Sequence, residues 1–227
     1  MPIQYENIVP WGRSFEDYVE MFALTPEDLE RSILGCGDGP ASFNSRMKKK
    51  GKSITSINPI YSFSAQQIQS RIETESENVL QQTTQNQEKF IWTKIKSVEE
   101  LGRLRMAAMT EFLTDYEKGK LEGRYLFAEL PHLPFKENQF ELALCSHLLF
   151  LYTDNLSLDF HLTSIQELCR VSREVRVFPL ADVNAIISPY VAKVKELLTK
   201  QGHSVEEVQV DYEFQKNINK MLKITKR

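Results

Sequence analysis

An α/β fold built on a mostly parallel sheet is predicted by three observations. The short apolar step Ile33-Leu34 runs straight into the alternating-glycine string Gly35-Cys36-Gly37-Asp38-Gly39. A helix-sized interval later, Ser53-Ile54-Thr55-Ser56-Ile57 reads as a β-branched strand ending at Asn58-Pro59. Further on, Phe140–Ser146 reads as an apolar strand. A glycine turn between a strand and a helix lets the backbone approach a ligand closely. In a parallel α/β sheet such a turn marks a pocket at the carboxyl end of the first strand.

The elements follow in order. In residues 1–31, Ser14 caps a helix that puts Phe15, Val19 and Phe22 on one face, and Thr25-Pro26-Glu27-Asp28 opens a second turn. The first strand is short, and the helix after the glycines runs from about Pro40 to Lys50. Residues 62–123 are too long for a simple crossover. They divide at the polar run 81–87, with Ala65, Ile68 and Ile72 at helical spacing before it. Leu101, Leu104, Ala108, Met109 and Phe112 repeat the spacing after it. This predicts one sheet helix plus an inserted helical piece able to wall a substrate pocket. The third strand is expected at 124–128, the fifth at 174–178, and the last long helix from Pro189 to Gly202. A closing hairpin is expected from Val205–Phe214 and Met221–Ile224.

The glycine string, Leu133-Pro134-Phe135, the strand Phe140-Glu141-Leu142-Ala143-Leu144-Cys145-Ser146 and the closing hairpin together resemble the class I S-adenosylmethionine-dependent methyltransferases. The likeness is strongest over residues 32–61 and 126–180. It implies a single Rossmann-like domain over 1–227: a seven-stranded, mostly parallel sheet, an antiparallel C-terminal hairpin, helices 1–31 covering the cofactor, and a helical insertion after strand two. By that resemblance S-adenosylmethionine is the cofactor. Gly35, Cys36, Gly37, Asp38 and Gly39 would form its loop, and Asn58 and Pro59 would meet the ribose. Glu129 and Leu130 would meet the adenine, and Ser146 would lie at the end of strand four. Arg13 is assigned to the cofactor carboxylate, which a guanidinium can grip bidentately. Two positions depart from the family pattern. Ile33 stands where an acid is usual, and Asn58 replaces the Asp or Glu that ends strand two.

Methyl transfer from a sulfonium needs mainly an oriented nucleophile, so no fixed catalytic motif is expected. The candidates for proton transfer are His147, Asp159 and His161, after strand four. The short acid-Pro-Pro-aromatic clamp for amino-nitrogen methylation is absent from Cys145-Ser146-His147-Leu148, which turns the expectation toward a small-molecule acceptor. A nicotinamide site is disfavoured by Pro40, which stands where that fingerprint places its third glycine. The departures at Ile33 and Asn58 keep open a second reading, a catalytically silent relative that binds cofactor and serves as a partner or scaffold.

At 227 residues and formal charge −3, the chain has ample core for one domain and no basic field for nucleic acid. The run Lys48-Lys49-Lys50 falls at a helix end, where cations complement the dipole. Three scattered cysteines, no signal-peptide pattern at Met1–Glu6 and no membrane-length apolar run predict a cytoplasmic protein with no metal site. Oligomeric state is left open.

Overall fold

The computed structural model describes residues 2–5 and 8–226. The strands are β1 (Ile33–Cys36), β2 (Ile54–Ile57), β3 (Tyr125–Leu126), β4 (Phe140–Ser146), β5 (Ser172–Phe178), β6 (Ser204–Gln209) and β7 (Lys220–Thr225). They form one sheet in the order β3-β2-β1-β4-β5-β7-β6. The five strands from β3 to β5 are parallel, and β7 runs antiparallel to both β5 and β6. The result is a Rossmann-like sheet closed by an antiparallel hairpin.

The helices are α1 (Phe15–Met21), α2 (Phe43–Lys49), α3 (Ala65–Gln85), α4 (Val98–Leu121), α5 (Leu158–Val171) and α6 (Tyr190–Lys200). Both faces of the sheet are covered, which is why β1 is buried at all four positions and β4 at every position but Glu141, rather than at alternate ones. Leu34, Cys36, Ala143 and Cys145 pack with α5 and α6. Their neighbours Ile33, Leu142 and Leu144 pack with α1 and α2. Helices α3 and α4 close a third cluster, of Tyr61, Ile68, Ile72, Met109, Phe112, Tyr116 and Tyr125.

Several boundaries differ from expectation. Pro40 lies in the turn ahead of α2, which starts at Phe43, so Pro40 is not a first-turn proline. The polar run 81–85 is helical: α3 continues through it, because Val79 and Thr83 give that face a buried stripe. The break falls at 86–97 instead. The second N-terminal helix is a single 3-10 turn, Asp28–Glu30, whose Asp28 is spent on Arg176 at 2.9 and 3.0 Å. Strand β3 has only two residues, and β6 ends at Gln209, leaving Phe214 in the connection to β7. The lysine run closes α2 as expected, with Lys49 on Glu111 at 2.7 Å and Lys50 over the Phe15 ring. No helix among the described residues is long and apolar enough to cross a membrane.

Candidate active site

Strand order reverses between β1 and β4, so the connections leaving their carboxyl ends diverge and open a crevice. A cavity of about 750 Å³ occupies it. Its lining comes from the ends of four parallel strands: Cys36–Gly39 after β1, Asn58 and Pro59 after β2, Glu129 and Leu130 after β3, and Ser146 and His147 after β4. Arg13 completes it from the leading segment. Of the expected cofactor residues, only Gly35 does not line this space.

Gly35 has a different task. A Cβ placed on it would fall 1.9 Å from the Asp38 carboxylate. The missing side chain makes room for Asp38 to fold back beneath the loop, not for a ligand. There Asp38 accepts hydrogen bonds from Tyr18 at 2.8 Å and from Ser56 at 2.6 Å. The Ser56 hydroxyl in turn accepts from Asn44 Nδ2 at 3.0 Å, and Asn44 Oδ1 accepts from Arg124 at 2.6 Å. One directed chain of donors thus runs from β3 to the glycine loop. Burial pushes the Asp38 pKa from 3.8 up to about 6, against the lowering effect of the Ser56 and Tyr18 hydroxyls. Asp38 therefore fixes the loop from inside, and its carboxylate is taken up internally.

Gly37 is the residue that backbone geometry requires. Its φ is +75°, and a Cβ there would meet the Ser146 carbonyl at 2.9 Å and Leu148 at 3.0 Å. Gly39, at φ +53°, has nothing within 4 Å of its Cβ position. The loop is consequently bare on the side away from Asp38.

Asn58 stands at the end of β2 as expected, but its Oδ1 already accepts from Ile60 N at 2.9 Å. It caps the 3-10 turn Pro59–Ser62, so the amide NH2 is the group left to meet a ligand. Glu129 is exposed at the cavity edge, and Leu130 beside it is buried.

Arg13 donates to the Trp11 carbonyl at 2.6 Å, and its Nε is buried without a partner. Asp17, the nearby acid, is engaged by Arg105, which also donates to Tyr212 at 3.0 Å. Burial and then the like charge of Arg105 push the Arg13 pKa down. Arg13 is thus a half-buried cation lacking a full countercharge at a cavity wall, an arrangement that favours an anionic ligand.

His147 also lines the cavity, with a left-handed φ of 49° at the end of β4. Its Nδ1 is 3.0 Å from Ser146 Oγ. Burial, then Arg13 and Arg105, hold its pKa well below the ordinary 6.5, so the ring is neutral. The expected pair Asp159 and His161 is not assembled at the cavity. Asp159 is exposed in the first turn of α5, and Phe160 between the two is the residue that reaches the lining. His161 is fully buried against Phe150 and Tyr190, with Nδ1 on the Ser157 carbonyl at 2.8 Å. It is a packing histidine, because helical spacing turns it to the core when Phe160 faces the crevice.

Sequence reasoning missed Tyr18, Ser56 and Arg105. The first two looked like ordinary apolar-face and strand residues, and their role depends on Asp38 turning inward. Arg105 sits on an otherwise apolar stripe of α4, the one signal that could have singled it out. The three cysteines are buried and free, and no cluster of His, Cys, Asp and Glu among the described residues could hold a metal ion.

Comparison with known proteins gives one relative close enough to define kinship. Uncharacterized protein MJ0045 of Methanocaldococcus jannaschii is 32% identical over 223 residues, covering 97% of each chain. The chain belongs to the MJ0045 family. No family model matches it. Among solved structures, PH0226 from Pyrococcus horikoshii is similar over 94% of this chain and 91% of its own, at 9% identity and a TM-score of 0.49. Magnesium protoporphyrin IX methyltransferase from Synechocystis, solved with bound SAM, is similar over 94% of this chain and 78% of its own. Its identity is 11% and its TM-score 0.49. A SAM-dependent methyltransferase from Aquifex aeolicus is 14% identical with a TM-score of 0.43, covering 92% of this chain and 90% of its own.

Proposed function

We propose that this MJ0045-family member binds S-adenosylmethionine in the crevice above Gly37–Gly39 and transfers its methyl group to a small-molecule acceptor. The observation that carries the reading is Arg13: a half-buried guanidinium whose Nε is buried and unpartnered, on the wall of a cavity floored by a bare glycine loop. A zwitterionic amino acid joined to a nucleoside supplies the missing carboxylate and can lie against the main chain. The residues present fit that group.

In this reading Arg13 pairs the carboxylate, and Gly37 and Gly39 bring the backbone close to the ligand. The Asn58 NH2 donates to a ribose hydroxyl while its oxygen keeps capping Ile60. Glu129 accepts from the adenine amino group and the Leu130 N–H meets a ring nitrogen. When bound, the cofactor supplies a methyl group already activated by positive sulfur. The protein then has to orient the acceptor and keep water out, and well-oriented pairs gain about 7–11 kcal/mol. Ile8, Val9, Pro10 and Trp11 help enclose the cavity. A neutral His147 is in the protonation state needed to accept a proton from an acceptor.

Calorimetric titration of the full chain with S-adenosylmethionine, S-adenosylhomocysteine and NAD tests this reading. Binding of the two adenosyl sulfur compounds without NAD is expected. NAD binding with no adenosyl-sulfur binding would overturn it.

A further inference from the structure

A second cavity, of about 110 Å³, opens beside the larger one. The two share Val9, Trp11, Arg13 and His147, which marks those residues as the junction. Beyond the junction the smaller space is dominated by apolar groups from segments far apart in sequence. Val79 comes from α3, Leu101 from α4, Phe90 from the link between them, and Phe214 from the β6–β7 connection. These walls are tied together. Phe90 stacks on Phe214 at 4.9 Å between ring centroids, and Ile91 N donates to the Phe214 carbonyl at 2.8 Å. The leading segment closes the roof with Ile3 and Tyr5, held by Ile3 N on Asn184 Oδ1 at 2.8 Å and Val9 N on the Tyr152 hydroxyl at 3.0 Å.

From the junction and the walls together, we infer that the smaller cavity is the acceptor subsite and takes a compact, single-ring phenol-type molecule, its ring among the apolar walls and its hydroxyl toward His147. The inference rests on the cofactor reading for the adjoining space. Size sets the upper limit at one ring, since at about 110 Å³ the cavity is smaller than the roughly 150 Å³ apolar cavity that holds benzene. Polarity sets the orientation. His147 Nδ1 is engaged by Ser146, and Nε2 has no hydrogen-bond partner among the described residues, so it is free to meet the polar end of a ligand at the junction, whereas Thr83, Tyr152, Tyr212 and Gln215 in the wall already bond within the protein. An acceptor oxygen at that position borders the crevice assigned to the cofactor.

The test is calorimetric titration of phenol and of 2-naphthol into the full chain saturated with S-adenosylhomocysteine. Two cavity-filling variants, Val79→Phe and the rim substitution Leu151→Phe, are titrated alongside. Phenol is expected to bind at least tenfold more tightly than 2-naphthol. Both variants should weaken phenol at least tenfold and leave S-adenosylhomocysteine affinity unchanged. If only one variant folds, that one decides. Equal phenol affinity in wild type and variants, or tighter 2-naphthol, overturns the subsite. S-adenosylhomocysteine binding with no phenol binding overturns the subsite and spares the cofactor reading. Phenol binding sensitive to the variants but without S-adenosylhomocysteine does the reverse.

Discussion

The two cavities differ in how they are assembled. The larger is framed by the ends of four adjacent parallel strands, and its central loop is fixed from inside by the chain Arg124–Asn44–Ser56–Asp38–Tyr18. The smaller meets the sheet only at His147 after β4 and Phe178 at the end of β5. The rest of its enclosure comes from the leading segment, two crossover helices and the β6–β7 connection, held by apolar packing and a few hydrogen bonds. A topology that brings strand ends together supplies one general binding crevice. Walls drawn from loops and insertions supply what is particular to one protein.

The sharpest way to break this contrast is Gly37→Ala. A side chain there faces a left-handed φ and two close neighbours, which costs about 1–3 kcal/mol of stability. Because the loop must shift into the crevice, S-adenosylhomocysteine affinity should fall roughly 100-fold, equivalent to about 3 kcal/mol. Calorimetry on a variant that still melts cooperatively checks it, and unchanged affinity would detach the loop from the ligand.

Asp38→Asn is next, and it separates the internal scaffold from the binding surface. With a folded pKa of about 6 against an ordinary 3.8, native Asp38 keeps its proton where the unfolded chain has lost it. Its contribution to stability is therefore fullest below about pH 4 and declines as pH rises through 6, a swing of about 3 kcal/mol. Urea unfolding of wild type and variant at pH 4 and pH 7.5 should show wild type losing ground to the variant as pH rises. A stability gap independent of pH would mean that Asp38 titrates normally.

Arg13→Met removes the countercharge at the junction. The expected loss of adenosyl-sulfur affinity is about 1.5–3 kcal/mol, roughly 10- to 150-fold, with Arg13→Lys recovering only part of it. Equal binding by wild type and the Met variant would assign Arg13 to some other anion. The smallest effect is reserved for Asn58→Asp. A carboxylate can still cap Ile60 and adds a charged acceptor for the ribose, so affinity should rise several-fold, about 1 kcal/mol. Unchanged affinity in the same titration would show that Asn58 does not face the sugar.

The same contrast explains what was legible in the chain. The glycine string, β2, β4 and β5 carry local signals, and neighbouring strand ends converge by topology alone, so most of the crevice could be named from sequence. The inward turn of Asp38 could not, because it depends on Gly35 lacking a side chain and on Tyr18 and Ser56 arriving from other elements. Asp159 and His161 stood close in sequence to the crevice, yet helix α5 turns one to solvent and the other to the core. The smaller cavity was visible only as the expectation that residues 62–123 could wall a pocket. Its lining meets through contacts spanning most of the chain, such as Ile3 with Asn184, which no local pattern announces.

A crystal structure of the chain soaked with S-adenosylhomocysteine tests the central claim most directly. The nucleoside is expected above Gly37–Gly39 with its carboxylate on Arg13. Density for the compound elsewhere, with Arg13 still bonded only to the Trp11 carbonyl, would contradict it.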